Sequence, residues 1–399
     1  MYKDPYDYDV TTDDEASFNH FIVGLNEYLS LDHSGISSFL KAIKRDPQFV
    51  LALLLLARQF AINGKPKEST YYLELAVKFR DNATKREQGI VNVMQLILSG
   101  DSQSLNLALS HIQEFPRDII VLSQVLGPFG LLAFSGTLDW RERNLKIINE
   151  LDPLFPSNDW WFMTTKSFIY AENGNIDNAC LLGEEAWGLQ ENGNCAHTIA
   201  HVHYESGSYI QGRSFISECL SSSKKTSNME HHLRWHDALL AIKLGKFDEI
   251  INIYSDFLLE FDTTTPLEYL ADNASLLWYC IINDIKVPDA WLAEIYNYTK
   301  KQYPEIGFKF VDMHRSMMSV ILNNQQRADY INEFALNDND DLCMRLSKGF
   351  MKFYDKEYNQ SAKHFSKILD QAVVFGGSNA QRNIIIETYE SAARKAQNE

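Results

Sequence analysis

The sequence predicts an all-α superhelix, a solenoid of stacked helix pairs. Three observations carry that expectation. Glycines recur at a near-constant step along much of the chain, apolar residues recur at helical rather than strand spacing, and 399 residues exceed what one compact core holds. Hydrophobic residues make up 45% and charged residues 23% of the chain, so a folded protein is expected rather than a disordered one.

Taken in order, residues 1–15 are rich in Asp and Tyr and lack the basic start and apolar stretch of a signal peptide, which predicts a short acidic arm. A single superhelical domain is expected over residues 16–399, with no linker long enough to divide it. The longest apolar run, residues 49–57, falls short of the ~20 residues that span a bilayer and reads as a buried helix. Beyond it, Gly64, Gly100, Gly136, Gly174, Gly207 and Gly245 follow one another at steps of 36, 36, 38, 33 and 38 residues. Most lie in a small polar turn between two amphipathic segments, where glycine supplies the left-handed residue that ends a helix. Each step therefore holds two helices, and the period lies close to the ~34 residues of a tetratricopeptide repeat. The stretches after Gly174, Gly245 and Lys356 repeat the same small and apolar spacing, the last without a glycine. Trp235, Leu239 and Ile242 show the helical spacing directly. Polar breaks are expected at residues 221–228 and 262–266, where Thr265 is placed to cap a helix opened by Pro266. A last helix is expected from Ala380 onward, opened by the turn Gly376, Gly377, Ser378 and Asn379.

Charge and cysteine use narrow the partners. A net charge of -16 repels phosphate backbones and anionic membrane surfaces, so neither nucleic acid nor a membrane is an expected partner. Cys180, Cys195, Cys219, Cys280 and Cys343 are odd in number and scattered, without zinc or redox spacing, which points to a reducing cytoplasm.

Histidine is unevenly distributed. His197, His201, His203, His231, His232 and His236 fall within forty residues. On a helix, His197, His201 and Glu205 share one face, and His232 with His236 repeat the spacing on the next first helix. First helices of successive repeats stand side by side, so residues one repeat apart become neighbours. His197 to His232 is 35 residues, His236 to Asp272 is 36 and Asp272 to Asp312 is 40, which predicts one pocket containing these residues and His314. Exposed amides at the start of the last helix, with Ser378, Asn379 and Arg382, form an expected anchor for an anion.

These segments also carry a resemblance. Arg86 to Gln88, the His197, His201 and His203 stretch, His232 to His236, Asp272 with Ser275, Asp312 with His314, and Gly376 to Arg382 occur in the order of the tetratricopeptide repeat protein 38 family. The chain resembles that family over nearly its whole length. The resemblance implies a superhelical repeat fold and leaves the reaction open. Tyr204 stands where some relatives have an acidic residue, with Glu205 one position later.

Three chemistries fit the histidine group. His197, His201, His232 and His236 can hold a divalent transition metal, with Glu205 or Asp272 completing the shell. The same imidazoles can instead brace adjacent helices through hydrogen bonds. The sequence slightly favours a third reading, metal-free recognition or acid–base chemistry of a hydrolase or lyase type. It would use His197, His201, Glu205, His232, His236, Asp272, Asp312 and His314, with carboxylates orienting the histidines. The expected ligand is a small, polar, anionic molecule, contacted by Trp235 and Ser275 and held by Ser378, Asn379 and Arg382. Ser275 lacks the elbow motif of a nucleophile, and Cys195 reads as a small buried thiol. The competing function is a non-enzymatic scaffold that binds a peptide or protein partner in its groove. An open channel favours the scaffold, and a closed cavity favours the small molecule.

Overall fold

The structure is a computed structural model that describes residues 1–222, 229–255, 264–336 and 340–398. The chain opens with a hairpin, β1 (Tyr2–Lys3) paired antiparallel with β2 (Asp9–Val10). Helices then follow in pairs: α1 (Glu15–Leu29) with α2 (Gly35–Arg45), α3 (Val50–Ile62) with α4 (Pro66–Phe79), α5 (Lys85–Ser99) with α6 (Ser104–Glu114), and α7 (Ile119–Val125) followed by α8 (Trp140–Leu151). The second half runs through α9 (Trp160–Glu172) and α10 (Ile176–Leu189), α11 (Gly193–Glu205) and α12 (Tyr209–Ser221), α13 (Glu230–Lys243) and α14 (Phe247–Ile253), and α15 (Pro266–Ile282) and α16 (Asp289–Gln302). It ends with α17 (Lys309–Met318), α18 (Asn324–Leu336), α19 (Asp341–Tyr354), α20 (Tyr358–Phe365) and the long α21 (Asn379–Ala396). First helices stand side by side, α9 on α11, α11 on α13, α13 on α15, α15 on α17 and α17 on α19, as a solenoid of helix pairs requires.

The turns explain the glycine ladder. All six glycines adopt φ between 67° and 78°, the left-handed region that strains other residues. Asp284 and Lys356 take the same conformation, at φ 59° and 63°, in the turns after α15 and α19. The ladder therefore continues where glycine does not mark it. α15 opens as expected, with Thr265 and Glu268 forming a reciprocal capping box and Pro266 in the first turn. Residues 223–228 of the expected polar loop, and Asp262 with Thr263, lie outside the described residues.

Residues 1–15, expected as a short acidic arm, carry the hairpin, which docks on the neighbouring helices. Buried Arg86 of α5 pairs with Asp4 and with Asp118, each at 2.8 Å, and Arg117 donates to the Tyr6 carbonyl at 2.7 Å. Val10 is fully buried. The acidity that suggests an arm thus serves in part to neutralise a buried arginine.

Besides two small clusters, two large hydrophobic cores form among the described residues, one within residues 6–169 and one within residues 196–392. The superhelix curls until they meet. Asn194 at the start of α11 donates to the Leu29 carbonyl at the end of α1 at 2.9 Å, Phe134 meets Phe308 edge-on at 4.9 Å between centroids, and Trp140 Nε1 donates to the Val373 carbonyl at 2.9 Å. α21 then packs on the first helices. Asn383 reaches Tyr204 of α11 at 3.1 Å, Glu387 pairs with Lys243 of α13 at 2.7 Å, and Thr388 accepts from Trp278 of α15 at 2.8 Å. It covers wall that an adaptor would leave open to a peptide. Among the described residues, no helix is long and apolar enough to cross a membrane.

Candidate metal centre

α11 starts at Gly193 because Asn192 caps it, accepting from the Cys195 N–H at 3.0 Å. From that start His197 and His201 fall one turn apart, and His232 and His236 of α13 answer them at the same spacing. One nitrogen from each of the four buried rings lies within 4.8 Å of the others. Nε2 of His197 is 2.9 Å from Nε2 of His201 and 3.1 Å from Nε2 of His232. His236 is fully buried, and neither of its ring nitrogens has a hydrogen-bond partner among the described residues. Phe168 of α9 meets His201 edge-on at 4.7 Å, and Trp235 stacks on His232 at 5.0 Å.

Asp272 of α15 orients this group. Nδ1 of His232 lies 3.0 and 2.9 Å from its two oxygens, and Nδ1 of His231 lies 3.4 Å from Oδ2. Burial opposes a charge on His232, but the charge and hydrogen bond of Asp272 outweigh it and raise the pKa. Burial likewise opposes the Asp272 anion, and the two histidines overcome it, so that carboxyl lies below its ordinary value. With Nδ1 donating to Asp272, Nε2 of His232 is turned to the other imidazoles. Burial first, then neighbouring positive groups, hold His197, His201 and His236 well below the usual histidine range, so these rings are neutral. A neutral imidazole has one N–H and one in-plane lone pair. Nε2 of His197 can therefore satisfy one of its two close neighbours, not both. A tetrahedral ion with bonds of about 2.0–2.1 Å separates its nitrogens by about 3.3 Å, close to the two short distances here.

The other residues expected in one pocket divide among three places. Trp235 and Ser275 are buried, the indole Nε1 donating to Ser275 Oγ at 2.8 Å while that hydroxyl donates to the Asp272 carbonyl at 3.3 Å. They brace α13 on α15 and do not line the cavity described below, so their expected role as ligand contacts has no support there. His314 donates from Nδ1 to the Phe310 carbonyl at 2.7 Å, and burial lowers its pKa to about 4. Asp312 accepts from the Gly307 N–H at 2.8 Å, and burial raises it to about 6. Neither belongs to the converging histidine group.

The third place is the start of α21. Buried Glu172, at the end of α9, accepts from the Asn379 N–H at 2.8 and 3.0 Å and pairs with Arg382 at 3.2 Å. Ser378 caps the helix by accepting from the Gln381 N–H at 3.3 Å. The anion at this helix start is the protein's own carboxylate. That corrects the expectation that Ser378, Asn379 and Arg382 hold a ligand. Burial, and then the charge of Glu172, push Glu205 up to about 7, and it stands with this cluster instead of completing a metal shell. Cys195 lies 3.1 Å from Thr164 Oγ1, and burial pushes its thiol up to about 11, which makes it inert.

A cavity of about 230 Å³ lies where the two halves of the superhelix close. Tyr28, Arg58, Gln124, Phe129, Phe168 and His197 are on its walls, so one of the four histidines reaches it. Sequence reasoning misses Arg58, Gln124 and Tyr28. One signal was available: Arg58 directly follows the most apolar run of the chain.

No family model matches the chain. Among solved structures it is similar to the human IFIT1 dimer with m7Gppp-AAAA, at 13% identity and a TM-score of 0.46, over 99% of this chain and 90% of that one. It is also similar to the TPR domain of P58(IPK), at 13% identity and a TM-score of 0.22, over 96% of this chain and 98% of that one. Likenesses this distant transfer no ligand, and the repeat fold stands on the helix pairing itself.

Proposed function

We propose that this chain is a metal-dependent protein acting on a small molecule. His197, His201, His232 and His236 hold a divalent transition metal, and the ligand sits in the adjoining cavity. The observation that carries the reading is the convergence of four buried imidazoles, one of which, His236, has no hydrogen-bond partner among the described residues. Buried polar groups without partners are rare, and an all-imidazole set suits zinc, copper, iron or nickel. A carboxylate on the far nitrogen of a ligating histidine, as Asp272 is on His232, is the usual outer support of such a centre. A purely hydrogen-bonded brace leaves His236 unsatisfied. Metal-free acid–base chemistry keeps one oriented pair, His232 with Asp272, but Glu205 and Asp312 stand outside the histidine group. Hydrolysis is the reaction class such an ion would supply, with water or a substrate carbonyl taking a fifth position beside the four imidazoles.

The peptide-scaffold alternative has less support because α21 covers part of the first-helix wall. Membership of the tetratricopeptide repeat protein 38 family is part of the proposal, since both His-x-x-x-His pairs that carry the resemblance converge here. The five free cysteines fit a reducing cytoplasm. Elemental analysis of protein purified without chelator tests the centre. About one metal ion per chain is expected, lost in the His201→Ala, His236→Ala double variant while helicity is retained. Wild-type protein that neither carries nor takes up zinc, copper, iron or nickel ends the proposal.

A further inference from the structure

Among the described residues, Arg58 is the one charged side chain on the cavity wall beside His197. Its guanidinium is held from behind. Nε donates to Gln124 Oε1 at 2.7 Å, and Gln124 is itself fixed, its Nε2 donating to the Tyr28 hydroxyl at 2.8 Å and to Ser123 Oγ at 2.9 Å. The two terminal nitrogens of Arg58 make no ion pair or hydrogen bond among the described residues. In a chain with 53 acidic and 37 basic side chains, an arginine fixed on one edge and left without a carboxylate on the other is a prepared anion receptor. The walls around it are apolar or neutral, with Phe129, Trp161 and Phe168 among the large apolar members.

We infer that the cavity receives a small organic acid, a monocarboxylate with an apolar body. Its carboxylate pairs with the terminal nitrogens of Arg58, its body lies against Phe129, Trp161 and Phe168, and its far end points to His197. A planar guanidinium meets a carboxylate through two parallel hydrogen bonds, which gives this pairing its geometric selectivity. One cation in an otherwise uncharged wall matches one negative charge. A phosphate would bring close to a second charge into apolar surroundings without a partner. The role given to His197 rests on the proposed metal centre, whereas the carboxylate pairing stands on Arg58.

Calorimetric titration of the wild-type protein with 3-phenylpropionate, its neutral amide 3-phenylpropanamide and inorganic phosphate tests this. The acid is expected to bind about tenfold tighter than the amide or better, a difference of about 1.4 kcal/mol, and phosphate is expected not to bind. In Arg58→Gln the acid falls to the level of the amide, while metal content and helicity match the wild type. Equal affinity of acid and amide, tighter binding of phosphate than of the acid, or no binding of the acid to the wild type each overturns the inference. Metal content of the same samples separates the two claims. Metal-free wild type that still prefers the acid through Arg58 sinks the metal centre and leaves the carboxylate site standing.

Discussion

An imidazole buried without a hydrogen-bond partner costs about 1–3 kcal/mol, and among the described residues His236 has none on either ring nitrogen. A bound ion satisfies one of those two nitrogens and relieves the crowding around Nε2 of His197. Asp272 acts at one remove, through His232. Asp272→Asn keeps all four proposed ligands but removes the charge that orients one of them, so metal affinity is expected to fall about 10–100-fold. Competition against a chromogenic chelator measures this, and unchanged affinity would make Asp272 a packing residue only. Glu205 gives a separate test of the local electrostatics. Its pKa is raised to about 7 from an ordinary 4.5, so the folded protein binds that proton more tightly than the unfolded chain. The resulting stabilisation is full below the unfolded value and is lost as pH rises through about 7. Glu205→Gln is therefore expected to stabilise the protein by about 1–2 kcal/mol near pH 8 and to be neutral near pH 4. Denaturant titrations at both values check it, and destabilisation near pH 8 contradicts it.

At the scale of elements, α21 is where one buried ion pair joins distant parts of the chain. Burial pushes the Glu172 carboxyl up and the Arg382 guanidinium down, each offset only in part by the other's charge. Removing one partner leaves a buried charge uncompensated, so Glu172→Ala is expected to cost about 3–5 kcal/mol and to raise hydrogen exchange along α21. A change below about 1 kcal/mol would place the pair among contacts of no consequence. This pair also marks the limit of what the sequence discloses. Turns were legible at Gly64 through Gly245 because the left-handed residue there is glycine, and less so at Asp284 and Lys356, where other residues adopt it. The two histidine pairs were legible because helical spacing puts them on one face, and the repeat step brings α11 beside α13. Nothing in the spacing reveals that Glu172 meets Arg382, 210 residues away, so the helix start reads as an open anion anchor when it is already filled.

Across the whole molecule, closure of the superhelix matters most for function. Bringing α1 against α11, and Phe134 against Phe308, turns a groove into a cavity, with Arg58 from the first core and His197 near the second on its walls. A solenoid curled in this way, with its last helix laid on the first-helix wall, leaves a half-open cavity between its two halves. The hydrophobic period predicts the repeats but not how far they curl, since curvature accumulates from small rotations at every interface. Arg58 therefore looks, in sequence, like the end of a buried helix rather than part of a site facing residues more than a hundred positions away. The central claim is that four imidazoles from α11 and α13 enclose one metal ion. Anomalous diffraction at the zinc absorption edge, from crystals of protein supplied with zinc, tests it most directly. A single peak about 2.0–2.1 Å from nitrogens of His197, His201, His232 and His236 is expected. Zinc-supplied crystals with no peak among those four rings would contradict it.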